Sequence, residues 1–561
     1  MKKINHLYTK AGAELNGKEY NVYPRPQLKR ASFLSLNGKW TLTYGKEQKI
    51  AINVPYPPES LLSGVFKDMG KDPFVTYTRG FTLPRGFKRD KVILNFGAVD
   101  QICKVYINDC YIGKNVGGYN RFSFDITKYL LKGNNTLTVQ VWDKLSSKEL
   151  PYGKQTYKRG GMWYTPVCGI WQSVWLESVP NDYVKDIFVR TEGTCATVYF
   201  TGVNEGTLTL STPSGEKEYT FEDGICKIEL ENVRHWSPDD PYLYYFSAQC
   251  GDDRVESYFA FRTLETKEFD GIPRLCLNGE PFFFHGVLDQ GYFSDGIFTP
   301  ASPSLYEEDI LKMKELGFNT LRKHIKIEPE LFYHYCDLHG MIVFQDFVNN
   351  GSYSFLRDTA IPTVLTKKFP ERLMLRSKKQ KELFKDGMRR AVRQLYNHPC
   401  ICYWTIFNEG WGQFDSDEMY ELLKSLDSSR FIDSTSGWFK KEKSDVESLH
   451  VYFKPVVTEK CSRPVVLSEF GGYSYKVPDH VANEKRTYGY KKYASLQEFQ
   501  KGIEELYLSQ IVPAVKTGLC GAIYTQLSDV EDETNGLLTY DRRICKVDRE
   551  KMLSIAKLLK I

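Results

Sequence analysis

Two glutamates stand where paired-carboxylate chemistry would need them. Glu409 closes Trp404-Thr405-Ile406-Phe407-Asn408-Glu409-Gly410, and Glu469 follows the apolar run in Pro464-Val465-Val466-Leu467-Ser468-Glu469-Phe470-Gly471-Gly472. A fully buried strand has no cheap reason to finish on a charge, so each acid reads as a carboxylate delivered into a cleft by a parallel strand. Two carboxylates facing one bond suit glycoside hydrolysis: one protonates the leaving oxygen while the other attacks the anomeric carbon or activates water. An ion-paired acid at a strand end explains either glutamate alone equally well. The two together favour the cleft.

The elements that must position this pair lie after residue 270, where strands alternate with amphipathic helices. Segments 281–288, 318–324, 341–347, 401–407, 431–436, 448–453, 464–469 and 521–526 read as strands. Between them, 306–316, 383–396 and 499–510 carry apolar residues at helical spacing, with a Ser304/Glu307 capping box expected before the first. Eight strands alternating with helices predict a (β/α)8 TIM barrel, whose chemistry gathers at the C-terminal strand ends. Glu409 then follows strand four and Glu469 ends strand seven.

The first half is built differently. From residue 36 to 180 short strands with period-two alternation follow one another, such as Thr136-Leu137-Thr138-Val139-Gln140-Val141-Trp142, predicting a jelly-roll β-sandwich. A second strand-rich stretch of about 80 residues predicts a small immunoglobulin-like β-sandwich. Turn-rich hinges at 180–182 and 270–273 divide the chain into 1–181, 182–266 and 267–561.

Composition narrows the partners. With 75 basic and 70 acidic residues the 561-residue chain carries a net charge of only +5, so neither nucleic acid nor a membrane surface is indicated. Residues 1–21 lack the apolar core of a signal peptide, and no run approaches a membrane span, so the expected location is cytoplasmic. The 13 cysteines form no CxxC pair, which leaves no zinc site or disulfide framework and fits a reducing compartment. No cofactor or metal is called for.

Taken in order, Leu36-Asn37-Gly38-Lys39-Trp40, Gly169-Ile170-Trp171-Gln172-Ser173-Val174-Trp175-Leu176-Glu177, Asn408-Glu409 and Ser468-Glu469-Phe470-Gly471 resemble glycoside hydrolase family 2, the family of β-galactosidases, β-glucuronidases and β-mannosidases. The resemblance covers nearly the whole chain. It implies a retaining double displacement, with Glu409 as acid/base, Glu469 as nucleophile and Asn408 on the 2-hydroxyl of the sugar. A retaining pair lies about 5 to 5.5 Å apart, close enough that the charge on one carboxylate keeps the proton on the other until the first is esterified.

Further candidates line the same mouth. Tyr452 and His450 close strand six; the phenol can donate to an ionised carboxylate, whereas His450 suits substrate contact and a satisfied core histidine equally. Trp438 offers a wall for a sugar ring or ordinary core packing. Asp289 and Asp346 can bind sugar hydroxyls or pair with Arg322 and Lys323 as scaffold. The segment Arg322-Lys323-His324-Ile325-Lys326-Ile327-Glu328-Pro329 keeps the histidine of the family's Arg-x-Ser-His-Tyr-Pro pattern, so His324 is a substrate-binding candidate, and it adds two lysines. Lys326 is positioned in sequence to pair with a uronate carboxylate, yet the Asn-x-Lys signature of β-glucuronidases is missing near Thr534-Asn535-Gly536. Gln345-Asp346-Phe347 is closer to the mannosidase branch, and Gln526 stands near where many galactosidases have tryptophan. The glycone stays open among β-galactoside, β-glucuronide or galacturonide, and β-mannoside.

The expected partner is an oligosaccharide or small-molecule β-glycoside. Segments 155–164 and 348–379 are long enough to reach the pocket rim. No domain is expected after the barrel, so rim contacts come from these loops or from a neighbouring subunit of a homo-oligomer. The alternatives are a non-hydrolytic glycan-binding protein on the same scaffold and a transglycosylase.

Overall fold

The computed structural model describes residues 6–213, 215–354, 356–361, 371, 376–437, 439, 441–458 and 461–561. Near the N-terminus a four-stranded and a six-stranded antiparallel sheet share one core that includes Leu42, Tyr77, Leu94, Val139 and Leu176. Strand Asn134–Trp142 illustrates the sequence logic: Asn135, Leu137, Val139 and Val141 are buried while the intervening residues are not, the period-two pattern of a sheet with one apolar face. The next seven strands form sheets of three and four, packed over Val198, Leu208, Leu210 and Phe246 in the count of an immunoglobulin-like sandwich. Arg30 joins the two sandwiches: its buried guanidinium donates to Glu177 of the first and Asp253 of the second.

Eight parallel strands then form the barrel: β1 Phe284–Asp289, β2 Thr320–Lys323, β3 Ile342–Asp346, β4 Ile401–Asn408, β5 Phe431–Ser436, β6 Glu447–Val451, β7 Val465–Gly471 and β8 Leu519–Thr525. Ladder pairing runs without a break from β5 through β4, β3, β2, β1, β8 and β7 to β6. The remaining gap is bridged by a 3.1 Å hydrogen bond between the hydroxyls of Ser436 on β5 and Ser448 on β6. Nearly every strand residue is buried, as expected where helices cover a parallel sheet. Helix Lys378–Leu395 shows the matching outer face, burying Phe384, Met388, Ala391, Val392 and Leu395. Among the described residues no helix is long and apolar enough to cross a membrane.

One local expectation fails. Helix Ser304–Glu315 has no capping box at Ser304/Glu307, because Pro303 already has helical angles (φ −54°, ψ −27°) and places Ser304 inside the first turn. A cap needs an extended residue at that point. Ser377 meets the condition before Lys378–Leu395, where it forms a reciprocal box with Gln380.

Candidate active site

β4 and β7 reach the barrel mouth by different devices. β4 ends in a left-handed turn, with φ +50° at Glu409 and +71° at Gly410. A side chain on Gly410 would come within 2.1 Å of the Phe439 ring, so only glycine fits there. The left-handed angle at Glu409 costs about 1–3 kcal/mol and persists where neighbours hold it; here the Glu409 amide donates to the Ser436 carbonyl at 2.8 Å.

β7 carries a bulge instead. Leu467 pairs with Ala522 and Phe470 with Tyr524, so Ser468 and Glu469 together face Ile523 alone. Such an insertion re-aims side chains at barrel rims. Strict alternation would send Ser468 and Glu469 to opposite faces, yet both look inward: Ser468 Oγ bonds the hydroxyls of Ser436 and Ser448, and Glu469 meets Arg322 and Tyr452. The strand accordingly continues to Gly471, two residues beyond the expected end at Glu469.

Arg322, fully buried on β2, ties these ends together. Its Nε donates to Asp346 Oδ1 (3.0 Å), one terminal nitrogen to Glu469 Oε1 (3.1 Å) and the Ser468 carbonyl (2.9 Å), and the other to Asn408 Oδ1 (2.8 Å). One fork thus spans β3, β4 and β7, a use of the rigid guanidinium that lysine cannot reproduce. Sequence reasoning treated Arg322 as a scaffold partner for the aspartates and missed its contact with Glu469. The available signal was an arginine inside a short buried run. Burial would raise the Glu469 carboxyl, but His450, Arg322, His324 and the Tyr452 hydroxyl outweigh it and lower it to about 2.

His450 bridges the two acids. Its Nδ1 lies 2.7 Å from Glu409 Oε1 and 3.6 Å from Glu469 Oε2, while Nε2 meets Ser436 Oγ at 3.1 Å. Donor atoms of Glu409, His450 and Glu469 all fall within 4.8 Å of one another, and among the described residues this is the one group of three or more such side chains close enough to share a cation. Tyr452 donates to Glu469 and stacks on Tyr490 with ring centres 3.8 Å apart. Outward from that stack lies Phe453, 82% exposed and edge-on to Tyr490. Because Asn408 turns its oxygen to Arg322, its amide nitrogen is directed elsewhere.

The aspartates and Lys326 are scaffold in this structure. Asp346 spends its carboxylate on Arg322 and on His324 Nδ1 (2.7 Å), and these partners keep it ionised although burial pushes its pKa up. His324 is itself buried, which lowers its pKa. Asp289 accepts from Lys323 and from the Gly291 amide. Lys326 gives its three protons to the carbonyls of Gly291 and Phe298 and to Glu328, so no donor remains for a uronate. Burial also pulls its pKa down to about 8. Trp438 lies outside the described residues, as does part of the 348–379 segment.

A wall of the mouth comes from the N-terminal sandwich. Its 151–167 segment lies across the barrel: Tyr152 NH donates to the Asn349 carbonyl and Tyr152 OH to Gly351. Trp163 packs against Trp411 (4.7 Å) and Tyr353 (5.1 Å). In the loop after β8, Glu531 receives Arg159 (3.2 Å) and the Thr165 amide (2.8 Å), and Glu533 receives the Tyr164 hydroxyl.

This architecture has known counterparts. Residues 5–180 match the sugar binding domain of glycosyl hydrolases family 2, and residues 272–558 match the TIM barrel domain of the same family. The chain belongs to glycosyl hydrolases family 2. It is 24% identical over 505 residues to a β-galactosidase of Thermoanaerobacter pseudethanolicus, covering 84% of this chain and 64% of the relative. With a putative β-glucuronidase of Formosa agariphila it shares 27% identity over 403 residues, 67% of this chain and 35% of the relative. The chain thus spans less than two thirds of the length of these curated relatives. Among solved structures, the β-D-glucuronidase of Dictyoglomus thermophilum aligns over 95% of this chain and 98% of its own, with TM-score 0.74 at 17% identity. The β-galacturonidase of Eisenbergiella tayi bound to galacturonate aligns over 95% and 99%, with TM-score 0.69 at 20% identity. At such identities the likeness is one of fold.

Proposed function

We propose that this chain is an exo-acting, retaining β-glycosidase that removes a terminal sugar from an oligosaccharide or small-molecule β-glycoside. The observation that carries this reading is the closeness of two carboxylates at the barrel mouth, with oxygens of Glu409 and Glu469 within 4.8 Å. Retaining enzymes hold their pair about 5–5.5 Å apart, whereas inverting enzymes leave about 6.5–9.5 Å for a water. Ionised Glu469 attacks the anomeric carbon while Glu409 passes its proton to the leaving oxygen; a water deprotonated by Glu409 then cleaves the glycosyl ester and frees Glu469. Arg322 and Tyr452 hold Glu469 in its anionic, attacking form, and Asn408 offers its amide to the 2-hydroxyl.

On this reading the chain works as three units, 1–181, 182–266 and 267–561, the first supplying a wall of the pocket. Its thirteen cysteines, without a CxxC pair, suit the reducing cytoplasm. The deciding experiment is covalent trapping with 2-deoxy-2-fluoro β-glycosides followed by peptide mass spectrometry. A glycosyl adduct on Glu469, absent from Glu469→Gln, supports the reading; steady turnover in Glu469→Gln, or an adduct elsewhere, overturns it.

A further inference from the structure

A cavity of about 370 Å³ lies where the three units meet, and none of the groups gathered at the barrel mouth lines it. That volume falls within the range of small-molecule pockets, about 300–1,000 Å³. Arg25 and Arg121 reach it from the first unit, Asp186 from the second, and Arg390, Arg393 and Gln394 from helix Lys378–Leu395 of the barrel. Three residues apart on that helix, Arg390 and Arg393 share a face. Of the charged residues in the walls six are basic and two acidic, so the cavity is a positive one.

The hydrogen bonds show how little of that charge is answered. Arg30 is spent on Glu177 and Asp253, which closes that account. Asp186 is shared between two guanidiniums: Oδ1 accepts from Arg25 Nη2 at 2.9 Å and Oδ2 from Arg393 Nε at 3.2 Å. Arg121 Nε lies 3.0 Å from Glu330, and the Arg121 amide donates to Gln394 Oε1. Arg390 is held by neutral acceptors, the Val116 carbonyl (2.8 Å) and Asn115 Oδ1 (2.9 Å), with Asp386 at 3.9 Å. Among the described residues, Arg25 Nε and Nη1 and both terminal nitrogens of Arg121 and of Arg393 donate to no protein atom. Arg25 is only 6% exposed, and burial together with the charge of Arg121 lowers its pKa, as expected of like charges held side by side.

We propose that this junction binds a phosphate group, as the free ion or as a phosphate monoester, and that the bound group clamps the three units together. A tetrahedral phosphate offers several acceptor oxygens, which match planar guanidinium forks two bonds at a time, and it brings negative charge to a cavity where cations outnumber carboxylates. A neutral glycan would leave those charges unanswered. Asp186 does not bar an anion: burial pushes its carboxyl up, but Arg25, Arg121 and Arg393 outweigh burial and already balance its charge. The cavity takes no part in the double displacement, so the inference stands apart from the glycosidase reading.

Titration calorimetry and thermal unfolding of the whole chain test it, comparing sodium phosphate, glucose 6-phosphate and sodium chloride at one fixed ionic strength. The expected result is one saturable phosphate site with a Kd below about 1 mM, and a melting temperature that climbs with phosphate concentration, as for any ligand held by the folded state alone. Tighter binding of glucose 6-phosphate would assign the site to a monoester, and tighter binding of phosphate to the free ion; either supports it. Arg393→Gln, on a side chain 73% exposed and therefore safe for the fold, should weaken binding about tenfold or more, the worth of a charge-assisted hydrogen bond. Lys501→Gln, on a side chain as exposed but on helix Leu496–Leu506 and outside the lining, should leave it unchanged. No saturable binding, equal responses to phosphate and chloride, or equal effects of Arg393→Gln and Lys501→Gln would each overturn the proposal.

Discussion

On the glycosidase reading proposed above, the barrel mouth has two poles built on opposite principles. At the catalytic pole every group rides on a barrel strand or its first turn, and Arg322 on β2 locks Asp346, Asn408 and Glu469 on three other strands. At the other pole Arg159, Tyr164 and Thr165 come from a sandwich loop and Glu531 and Glu533 from the loop after β8, joined across a domain seam by the Arg159–Glu531, Thr165–Glu531 and Tyr164–Glu533 hydrogen bonds. Rigid strands fix atoms that must move charge within tenths of an ångström. Loops from two domains shape the other side. Changes at the first pole should therefore damage every substrate alike, and changes at the second should reorder substrates.

The sharpest way to break this contrast is Glu469→Gln. Loss of a nucleophile is expected to lower kcat by about 10⁴ to 10⁶ for all glycosides; selective loss for one sugar would contradict the division. Glu409→Ala should cost about 10² to 10⁴ on alkyl glycosides and far less on dinitrophenyl glycosides, whose leaving group needs no proton. Azide rescue of the second step, read as β-glycosyl azide, checks the role directly.

Arg322→Met sharpens the same contrast through pH. Glu469 sits at about 2 against an ordinary 4.5, so the folded state favours its charged form and binds fewer protons there than the unfolded chain. Its contribution to stability is complete above pH 4.5 and disappears as pH falls toward 2. In the variant the acid limb of kcat/KM should move up by about one unit or more, because a buried positive neighbour is gone; an unmoved limb would mean that Arg322 only braces the barrel. Phe453→Ala, on the exposed end of the aromatic stack, should raise KM for aryl glycosides by about two- to tenfold and leave kcat alone, since one stacking contact is worth about 0.5–1.5 kcal/mol.

The same division explains what could be read from the chain in advance. Glu409 and Glu469 stood out because a charge at the end of an apolar strand is a conflict between burial and solvation. Tyr452 and His450 close strand six, where the family resemblance places residues that contact the nucleophile and the sugar. The bulge at Ser468 was invisible, because nothing in an apolar run tells whether β8 offers one partner or two. Lys326 misled for a related reason: its acceptors are two carbonyls and Glu328, and carbonyl positions are properties of the folded backbone. Ser304 looked like a cap until Pro303 entered the helix first. Glu533 lies among Asp529, Glu531 and Asp532 in a loop without periodicity, where composition suggests a solvated acidic turn. Only Tyr164, 369 residues away in sequence, singles it out.

The seam between sandwich and barrel also bears on how such an enzyme can be re-tuned. Since Arg159, Tyr164 and Thr165 sit on a loop of the N-terminal sandwich, exchanging that loop leaves Arg322, Glu409 and Glu469 untouched. On the glycosidase reading, new sugar preferences are expected to follow such a transplantation, provided the donor loop and residues 531 and 533 are moved together as one cassette.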